Sequence, residues 1–219
     1  KSFCSRFEKP IVQEEDEAAA RRLNQLTGPF LLRRMKADVL KELPPKTENV
    51  HRIELEEEQR KLYLAAVVDA RDKLRAAKPE DKMAVFAVLM RLREICCDPR
   101  LVADNWTGGS AKLDACIELV TSAVEGGHRI LLFSQFTSML ELLAQRLDEE
   151  GISHFTLQGS TPKPMRAERV RRFNNGEASV FLISLRAGGT GLNLTAADIV
   201  IHYDPWWNVA AQNQATDRA

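Results

Sequence analysis

The segment SVFLISLRAGGTGLNL, residues 179–194, decides the fold of this 219-residue chain. Its first six residues form a short apolar run that is typical of a strand, and a loop with three glycines follows at 188–191. Similar runs predict further strands at 129–133, 153–157 and 199–203. Helices are predicted around these strands at 111–124, 137–150, 164–174 and from Asn208 onward. This alternation predicts an α/β fold, in which a parallel sheet carries helices on both faces.

The first half of the chain carries mainly helical patterns. Helices are predicted at 14–26, 30–40, 56–77 and 83–95, and an alternating pattern predicts one short strand at 49–55. A polar, glycine-containing connection at 104–110 separates the two halves. We therefore predict a mainly helical segment at 1–110 and an α/β domain at 111–219.

The charges of the chain balance, with 31 Lys+Arg and 31 Asp+Glu. This neutrality argues against nucleic-acid binding by bulk charge, although a local basic stripe would suffice for a site. The four cysteines form no CxxC pair, so neither a zinc site nor a disulfide framework is expected. No apolar run reaches the roughly 18 residues of a membrane span, and no membrane partner or signal peptide is expected. Both ends of the sequence fall within a pattern, so we expect the chain to be part of a larger protein.

The glycine loop after the 179–184 strand is a candidate binding site, because ligands of parallel sheets bind at the carboxyl ends of the strands. Its glycines allow N–H groups to approach a phosphate or a sugar, with Arg186, Thr190 and Asn193 as polar neighbours. The alternative is a tight structural turn. No GK[ST] follows the glycines, so the loop is not a P-loop.

A second candidate is the loop after the 153–157 strand. Gly159, Ser160 and Thr161 offer N–H and hydroxyl donors to a nucleic-acid phosphate. The helix that follows carries a basic stretch, which is either part of this site or a solvated helix face. Its arginines are Arg166, Arg169, Arg171 and Arg172.

The third candidate is DPWWN at 204–208, after the 199–203 strand. Its tryptophans either stack on nucleic acid or pack one part of the protein against another, and packing is favoured for Trp206. Asn208 is a suitable N-cap for the next helix. Gln214 and Arg218 share a face of that helix, where an arginine is either an arginine finger or a solvated charge.

In this order and spacing, the segments resemble the second RecA-like lobe of helicase superfamily two, and specifically the SWI/SNF-type ATPases. ILLFSQF at 130–136 is similar to motif IV, and VFLISLRAGGTGLNL at 180–194 is similar to motif V. The other matching segments are LQGST at 157–161, a DNA-contacting motif; DPWWN at 204–208 and QATDRA at 214–219, which lead into motif VI; and FLLRRMKADVLKELPPK at 30–46 and LREICCDP at 92–99, from between the lobes. The resemblance covers nearly the whole chain.

The resemblance implies roles for the candidate residues. Gln214 and Arg218 would face ATP across a cleft between two lobes and serve catalysis. Nucleotide contacts are implied for Gly188, Gly189 and Gly191. DNA contacts are implied for Gly159, Ser160, Thr161, Arg186, Thr190, Asn193 and Trp207.

The function implied by the resemblance is that of a DNA-dependent ATPase that translocates on double-stranded DNA without base preference. ATP and Mg²⁺ would be bound mainly by a first RecA-like lobe, since this sequence has no GxxxxGK[ST] and no DExH. In the family, motif VI continues beyond Ala219 with a further arginine. The implied partners are double-stranded DNA, the first lobe and further proteins. The expected location is the cytoplasm or nucleoid of a bacterium, or the nucleus of a eukaryote.

Three alternatives remain open at this point. An RNA helicase lobe is one, although family members that act on RNA have different residues where DPWWN stands. A non-catalytic interaction module with the same fold is the second. The third is an α/β enzyme that binds a nucleotide through its GGTG loop.

We predict that the isolated chain binds ATP weakly or not detectably, because the main phosphate cradle of the family lies in the first lobe. Isothermal titration calorimetry of the isolated chain with ATP measures this affinity. A submicromolar Kd would contradict the two-lobe interpretation and favour the nucleotide-binding enzyme.

Overall fold

The computed structural model describes residues 3–31, 47–76, 82–185, 187 and 192–216. The chain forms two compact units, Lys1–Val50 and His51–Ala219. The connection at 104–110, where a domain boundary is predicted, lies inside the second unit. Among the described residues, none of the helices has both the length and the apolar character needed to cross a membrane.

The first unit is helical where it is described. A π-helical turn at Cys4–Glu8 leads into α1 (Lys9–Gln13), and α2 spans Glu17–Thr27. Helix α2 begins later than predicted, because Asp16 is its N-cap and accepts hydrogen bonds from the N–H groups of Ala18 (2.8 Å) and Ala19 (3.2 Å). A 3₁₀ turn at Gly28–Phe30 follows. The rest of the helix predicted at 30–40 lies outside the described residues.

The second unit begins with a helical pair, α3 (Glu57–Ala76) and α4 (Lys82–Cys97). The prediction of a strand at 49–55 was wrong, because this stretch is irregular, with Val50 85% and Ile53 39% exposed. An alternating pattern forms a strand only where a neighbouring strand accepts its backbone hydrogen bonds. Where α3 begins and α4 ends, the buried Gln59 side chain donates a hydrogen bond to the carbonyl oxygen of Ile95 (2.8 Å) and joins the two helices.

The α/β part is a four-stranded, fully parallel sheet, which confirms the predicted fold class. Its strand order is β2-β3-β1-β4, with each strand within one residue of its predicted bounds. The elements in chain order are α5 (Ala111–Glu125), β1 (Ile130–Ser134), α6 (Thr137–Glu149), β2 (His154–Leu157), α7 (Lys163–Asn174), β3 (Val180–Ser184), β4 (Ile199–His202) and α8 (Val209–Thr216).

Successive residues of the strands point to opposite faces of the sheet and form two hydrophobic clusters. Ile130 and Leu132 of β1 belong to the first cluster, together with buried residues of α5 and α6. Leu131 and Phe133 belong to the second, together with Phe173 of α7 and Ala215 of α8. Helices therefore cover both faces, which leaves the ends of the strands as the accessible part of the sheet.

The carbonyl oxygen of Cys97, at the end of α4, joins the helical pair to the sheet. It accepts hydrogen bonds from the buried Tyr203 hydroxyl (2.8 Å) and from the Ser110 hydroxyl (3.2 Å). The ammonium group of Lys112 lies 4.8 Å from the centre of the Tyr203 ring. Because Tyr203 directly follows β4, this contact fixes α4 at one edge of the sheet.

We predict that Tyr203→Phe lowers the free energy of unfolding by about 1 kcal/mol, the typical value of one hydrogen bond. For a chain of this size, that change lowers the Tm by about 2–4 °C. Thermal unfolding followed by circular dichroism measures it. The matched control is Tyr63→Phe on α3, since the Tyr63 hydroxyl has no hydrogen bond within the described part of the chain. Equal Tm values for the two variants would contradict the prediction.

Candidate nucleotide and nucleic-acid site

The parallel sheet brings the three candidate loops and the segment after β1 to one edge. Because the strands run in the same direction, the segments that follow β1, β2, β3 and β4 emerge together at the carboxyl end of the sheet. Strands β2 and β4 are the outer strands, so their loops are separated by three strand spacings, about 14 Å.

Asp204 ties the loop after β4 to the loop after β1. Its side chain is only 2% exposed, and its carboxylate accepts a hydrogen bond from the backbone N–H of Gln135 (3.0 Å). Burial raises the pKa of Asp204 above its ordinary value, since a low-dielectric surrounding disfavours the charged form. The carboxylate is thus a costly buried group that holds two loops together.

Gln135, in the segment after β1, carries a buried side-chain amide. Within the described part of the chain, neither polar atom of this amide has a hydrogen-bond partner. Such an unsatisfied group costs about 1–3 kcal/mol. A glutamine after a strand is ordinarily solvated, so this burial could not be predicted from the sequence.

The loop after β2 is shaped by Arg166 of α7. The Arg166 guanidinium donates to the carbonyl oxygens of Thr161 (2.7 Å), Gly159 (2.8 Å) and Gln158 (3.3 Å). The Thr161 hydroxyl also accepts a hydrogen bond from the N–H of Gln158 (3.0 Å). The carbonyl oxygens, which would repel a phosphate, are therefore turned toward the arginine.

Gly159 and Ser160 remain exposed at the tip of this loop. A Cβ atom added at Gly159 would meet nothing within 4 Å, so the packing of the chain does not require a glycine here. A ligand that approaches the backbone closely would require one. The tip is therefore suited to contact a bulky partner from outside.

Most arginines of the basic stretch of α7 contact other groups of the same chain. Arg169 donates to the carbonyl oxygen of Thr156. Arg172 pairs with Glu177 (2.7 Å) and lies 4.9 Å from the centre of the Phe155 ring. Together with Arg166, these residues support the loop and β2. Arg171 is exposed on the helix surface.

Only the two ends of the glycine loop after β3 are described. The Ser184 hydroxyl accepts a hydrogen bond from the N–H of Ala187 (3.2 Å), which turns the chain sharply after β3. At the other end, Asn193 is exposed, and its carbonyl oxygen accepts a hydrogen bond from the Asn174 side chain (3.0 Å). The remaining candidate residues of the loop, Arg186, Gly188, Gly189, Thr190 and Gly191, lie outside the described residues.

The two tryptophans after β4 pack on each other and on α4. Their ring centroids are 4.1 Å apart, and the Arg93 guanidinium lies 5.5 Å from the Trp206 ring and 5.0 Å from the Trp207 ring. Trp206 is half-buried, as the packing interpretation expects, whereas Trp207 is 51% exposed. The backbone N–H of Gln212 donates to the carbonyl oxygen of Asn208 (3.2 Å) where α8 begins. The backbone of Gln214 lies in α8, while its side chain and Arg218 lie outside the description.

Family models match both halves of the chain. A model described as helicase conserved C-terminal domain matches residues 111–219, and a model described as SNF2-related domain matches residues 1–101. The chain belongs to the SWI/SNF-type ATPase family. Its second half matches the C-terminal helicase domain of superfamily two, and the parallel sheet described above is the RecA-like core of that domain.

Two relatives of this SWI/SNF-type chain illustrate the range of the family. A putative ATP-dependent helicase/translocase of Bacillus subtilis is 39% identical over 226 residues, which cover 99% of this chain and 24% of the relative. The SWI/SNF-related matrix-associated actin-dependent regulator of chromatin subfamily A member 1 of Mus musculus is 37% identical over 217 residues, which cover 93% of this chain and 21% of the relative. The chain therefore spans about a fifth to a quarter of the length of these relatives.

A solved structure shows the same fold. It is the SWI2/SNF2 ATPase core of Sulfolobus solfataricus in complex with dsDNA, which is 29% identical. The likeness covers 99% of this chain and 47% of that chain, with a TM-score of 0.71. The helical pair and the sheet thus occur together in another SWI/SNF-type ATPase.

We predict that Asp204→Asn changes how stability depends on pH. Because the pKa of Asp204 is raised in the folded chain, the folded state binds this proton more tightly than the unfolded state. Its contribution to stability is therefore full below the ordinary pKa and is lost as the pH rises through the raised pKa. The variant lacks this loss, so its free energy of unfolding should increase relative to the wild type as the pH rises above about 4. Guanidinium unfolding at a series of pH values measures the difference.

Asp198→Asn is a control for which we expect the opposite dependence of stability on pH. Burial alone would raise the pKa of Asp198, but hydrogen bonds from His128 (2.6 Å) and from the N–H of Arg129 (2.9 Å) lower it. Its contribution is present above the ordinary pKa and is lost as the pH falls through the lowered pKa. This variant should therefore lose stability relative to the wild type at neutral pH and converge with it in acid. Parallel pH curves for the wild type and both variants would contradict the electrostatic assignment.

Proposed function

We propose that the chain is the C-terminal motor lobe of a DNA-dependent ATPase that translocates on double-stranded DNA. The exposed tip at Gly159–Ser160 carries this proposal, because its shape is fixed from within while its outer side is open. In support, a solved relative of the same fold is an ATPase core in complex with dsDNA, and a curated relative is named a putative ATP-dependent helicase/translocase.

Two points of contact with DNA follow from the sheet. Ser160 and Thr161 would hold a phosphate at the β2 side, and Trp207 would contact the duplex at the β4 side; strands β2 and β4 themselves are about 14 Å apart. Arg186, Thr190 and Asn193, from the loop between them, would complete the surface. Contacts to phosphate and sugar carry no direct sequence information, so movement without base preference is expected.

ATP would be hydrolysed in a cleft between this lobe and a first RecA-like lobe. The glycines Gly188, Gly189 and Gly191 are suited to approach the nucleotide, and Gln214 and Arg218 would face its phosphates. Arginine and backbone N–H groups match phosphate oxygens, whereas Mg²⁺ prefers carboxylate oxygens and water. No carboxylate is assigned to the nucleotide here, so we place Mg²⁺ binding in the first lobe, where the ion would neutralise phosphate charge.

Closure of the cleft would move this lobe as a unit. The two outer strands are joined through β3 and β1 by continuous backbone pairing, so the contacts at 159–161 and at Trp207 would shift together along the duplex. Release of the hydrolysis products would reset the cleft.

We predict that Arg218→Ala and Ser160→Ala separate the two activities of the intact protein. Arg218→Ala should lower the kcat of duplex-stimulated ATP hydrolysis by about 10³-fold or more, the typical effect of losing an arginine finger. It should leave duplex binding unchanged. Ser160→Ala should raise the duplex concentration needed for half-maximal stimulation by about 3–10-fold, because one hydrogen bond to a charged phosphate is lost.

Steady-state ATPase assays with duplex DNA, single-stranded RNA and no nucleic acid measure these effects. Arg60→Ala is the matched control for charge loss, since Arg60 is exposed on α3 and belongs to none of the candidate loops. A wild-type protein stimulated by RNA and not by duplex DNA would replace this proposal with the RNA helicase alternative. An Arg218→Ala protein with unchanged kcat would remove its catalytic assignment.

A further inference from the structure

Four side chains from α4 and from the segment after β4 form one stack. The rings of Trp206 and Trp207 are nearly parallel, with an interplanar angle of 30°. The edge of Phe86 meets Trp207 at an angle of 75°, with ring centroids 5.6 Å apart. Arg93 lies over both tryptophans, at 5.5 Å and 5.0 Å. The stack thus joins a helix that precedes the sheet to the loop that carries a proposed DNA contact.

Arg93 is the centre of this stack because it makes two kinds of contact at once. Its Nη2 donates a hydrogen bond to the carbonyl oxygen of Pro205 (2.7 Å), which ties the guanidinium to the segment that carries the tryptophans. The guanidinium carbon also lies 5.0 Å from the centre of the Trp207 ring and 5.5 Å from that of Trp206, within the distance at which a cation is attracted to the π-electrons. A lysine cannot reproduce this pair of contacts, because its ammonium group is a point charge without a planar face.

The segment that precedes the tryptophans, residues 203–205, is also held in place by hydrogen bonds. Tyr203 donates its hydroxyl to Cys97 of α4, and Asp204 accepts from the N–H of Gln135. Pro205 accepts from Arg93. Each of the three residues before the tryptophans therefore makes a hydrogen bond to a distant part of the chain. Tyr203 and Pro205 bond to α4, and Asp204 bonds to the segment after β1.

Trp207 nevertheless exposes half of its surface. Its exposed fraction is 51%, whereas Trp206 is the more buried of the two tryptophans. The contacts with Arg93 and Phe86 use one part of the ring and leave the rest accessible. An exposed aromatic surface held in a fixed orientation is suited to stack on a base or pack against a sugar, since the entropy of ordering the side chain is already lost.

We propose that Arg93 is a positioning residue for duplex engagement, which holds Trp207 in the orientation that contacts DNA. This inference rests on the proposed function, because it concerns the DNA contact of the same lobe. Arg93 itself touches no nucleotide and acts through Trp207. By this route α4, a helix outside the sheet, controls the affinity of the lobe for duplex DNA.

The test uses Arg93→Met and Arg93→Lys in the intact protein. Arg93→Met should raise the duplex concentration for half-maximal ATPase stimulation by about 3–10-fold, the effect of leaving one large side chain to be ordered on binding. The kcat at saturating duplex should stay within about twofold. Arg93→Lys should show most of the same loss in affinity, since it keeps the charge and loses the planar contacts. Arg91→Met, on the same helix and exposed, is the control for charge loss and should match the wild type.

Tryptophan fluorescence tests the positioning without DNA. In a Trp106→Phe background, Trp206 and Trp207 are the remaining tryptophans of this chain, and Arg93→Met should alter their emission and increase their quenching by acrylamide. The double variant Arg93→Met/Trp207→Ala should bind duplex no more weakly than Trp207→Ala alone, because Arg93 acts through Trp207. A circular-dichroism melt verifies that each variant is folded, and Arg93→Lys serves if Arg93→Met is not.

The outcomes separate the two proposals. Loss of duplex affinity in Trp207→Ala together with unchanged affinity and fluorescence in the Arg93 variants overturns the positioning role and leaves the motor function intact. A further loss in the double variant overturns action through Trp207. A wild-type protein without duplex stimulation overturns the proposed function, and with it the role of Arg93, even if the fluorescence responds.

Discussion

The parallel pairing of β1 with both β3 and β4 is the constraint on which the rest of the structure depends. It buries the central strand completely and brings four strand ends to one edge. Helices on both faces leave that edge as the place where loops are free to vary without exposing the core. The candidate site is therefore a consequence of strand direction, and its residues come from segments far apart in the sequence.

This dependence explains how much of the fold could be predicted from the sequence. The strands Val180–Ser184 and Ile199–His202 are apolar runs between turn residues, and their bounds were predicted within one residue. The stretch at 49–55 alternates in the way a strand does, but it pairs with no strand in the described part of the chain. Local alternation describes a strand, whereas pairing is a property of the whole fold and does not show in seven residues.

The candidate site was predictable in composition but not in its internal connections. The loop at Gly159–Thr161 was located from its position after a strand, whereas the three hydrogen bonds of Arg166 to that loop require coordinates. The link between Arg93 and DPWWN joins residues more than a hundred positions apart. Such contacts depend on packing and leave no periodic signal. The resemblance to a known family supplied the roles of the glycine loop, which no local rule distinguishes from an ordinary turn.

The hydrogen bonds of Arg166 to three carbonyl oxygens also affect the stiffness of the loop after β2. A loop that is held only at its two ends would bend under a load on its tip, and much of a small displacement would be absorbed there. Arg166 braces the tip against α7, and Arg169 braces β2 against the same helix. A force on Ser160 is thus passed directly to a helix and a strand of the core. In a lobe proposed to pull on DNA, this low compliance lets a small movement of the sheet arrive at the phosphate with little slack.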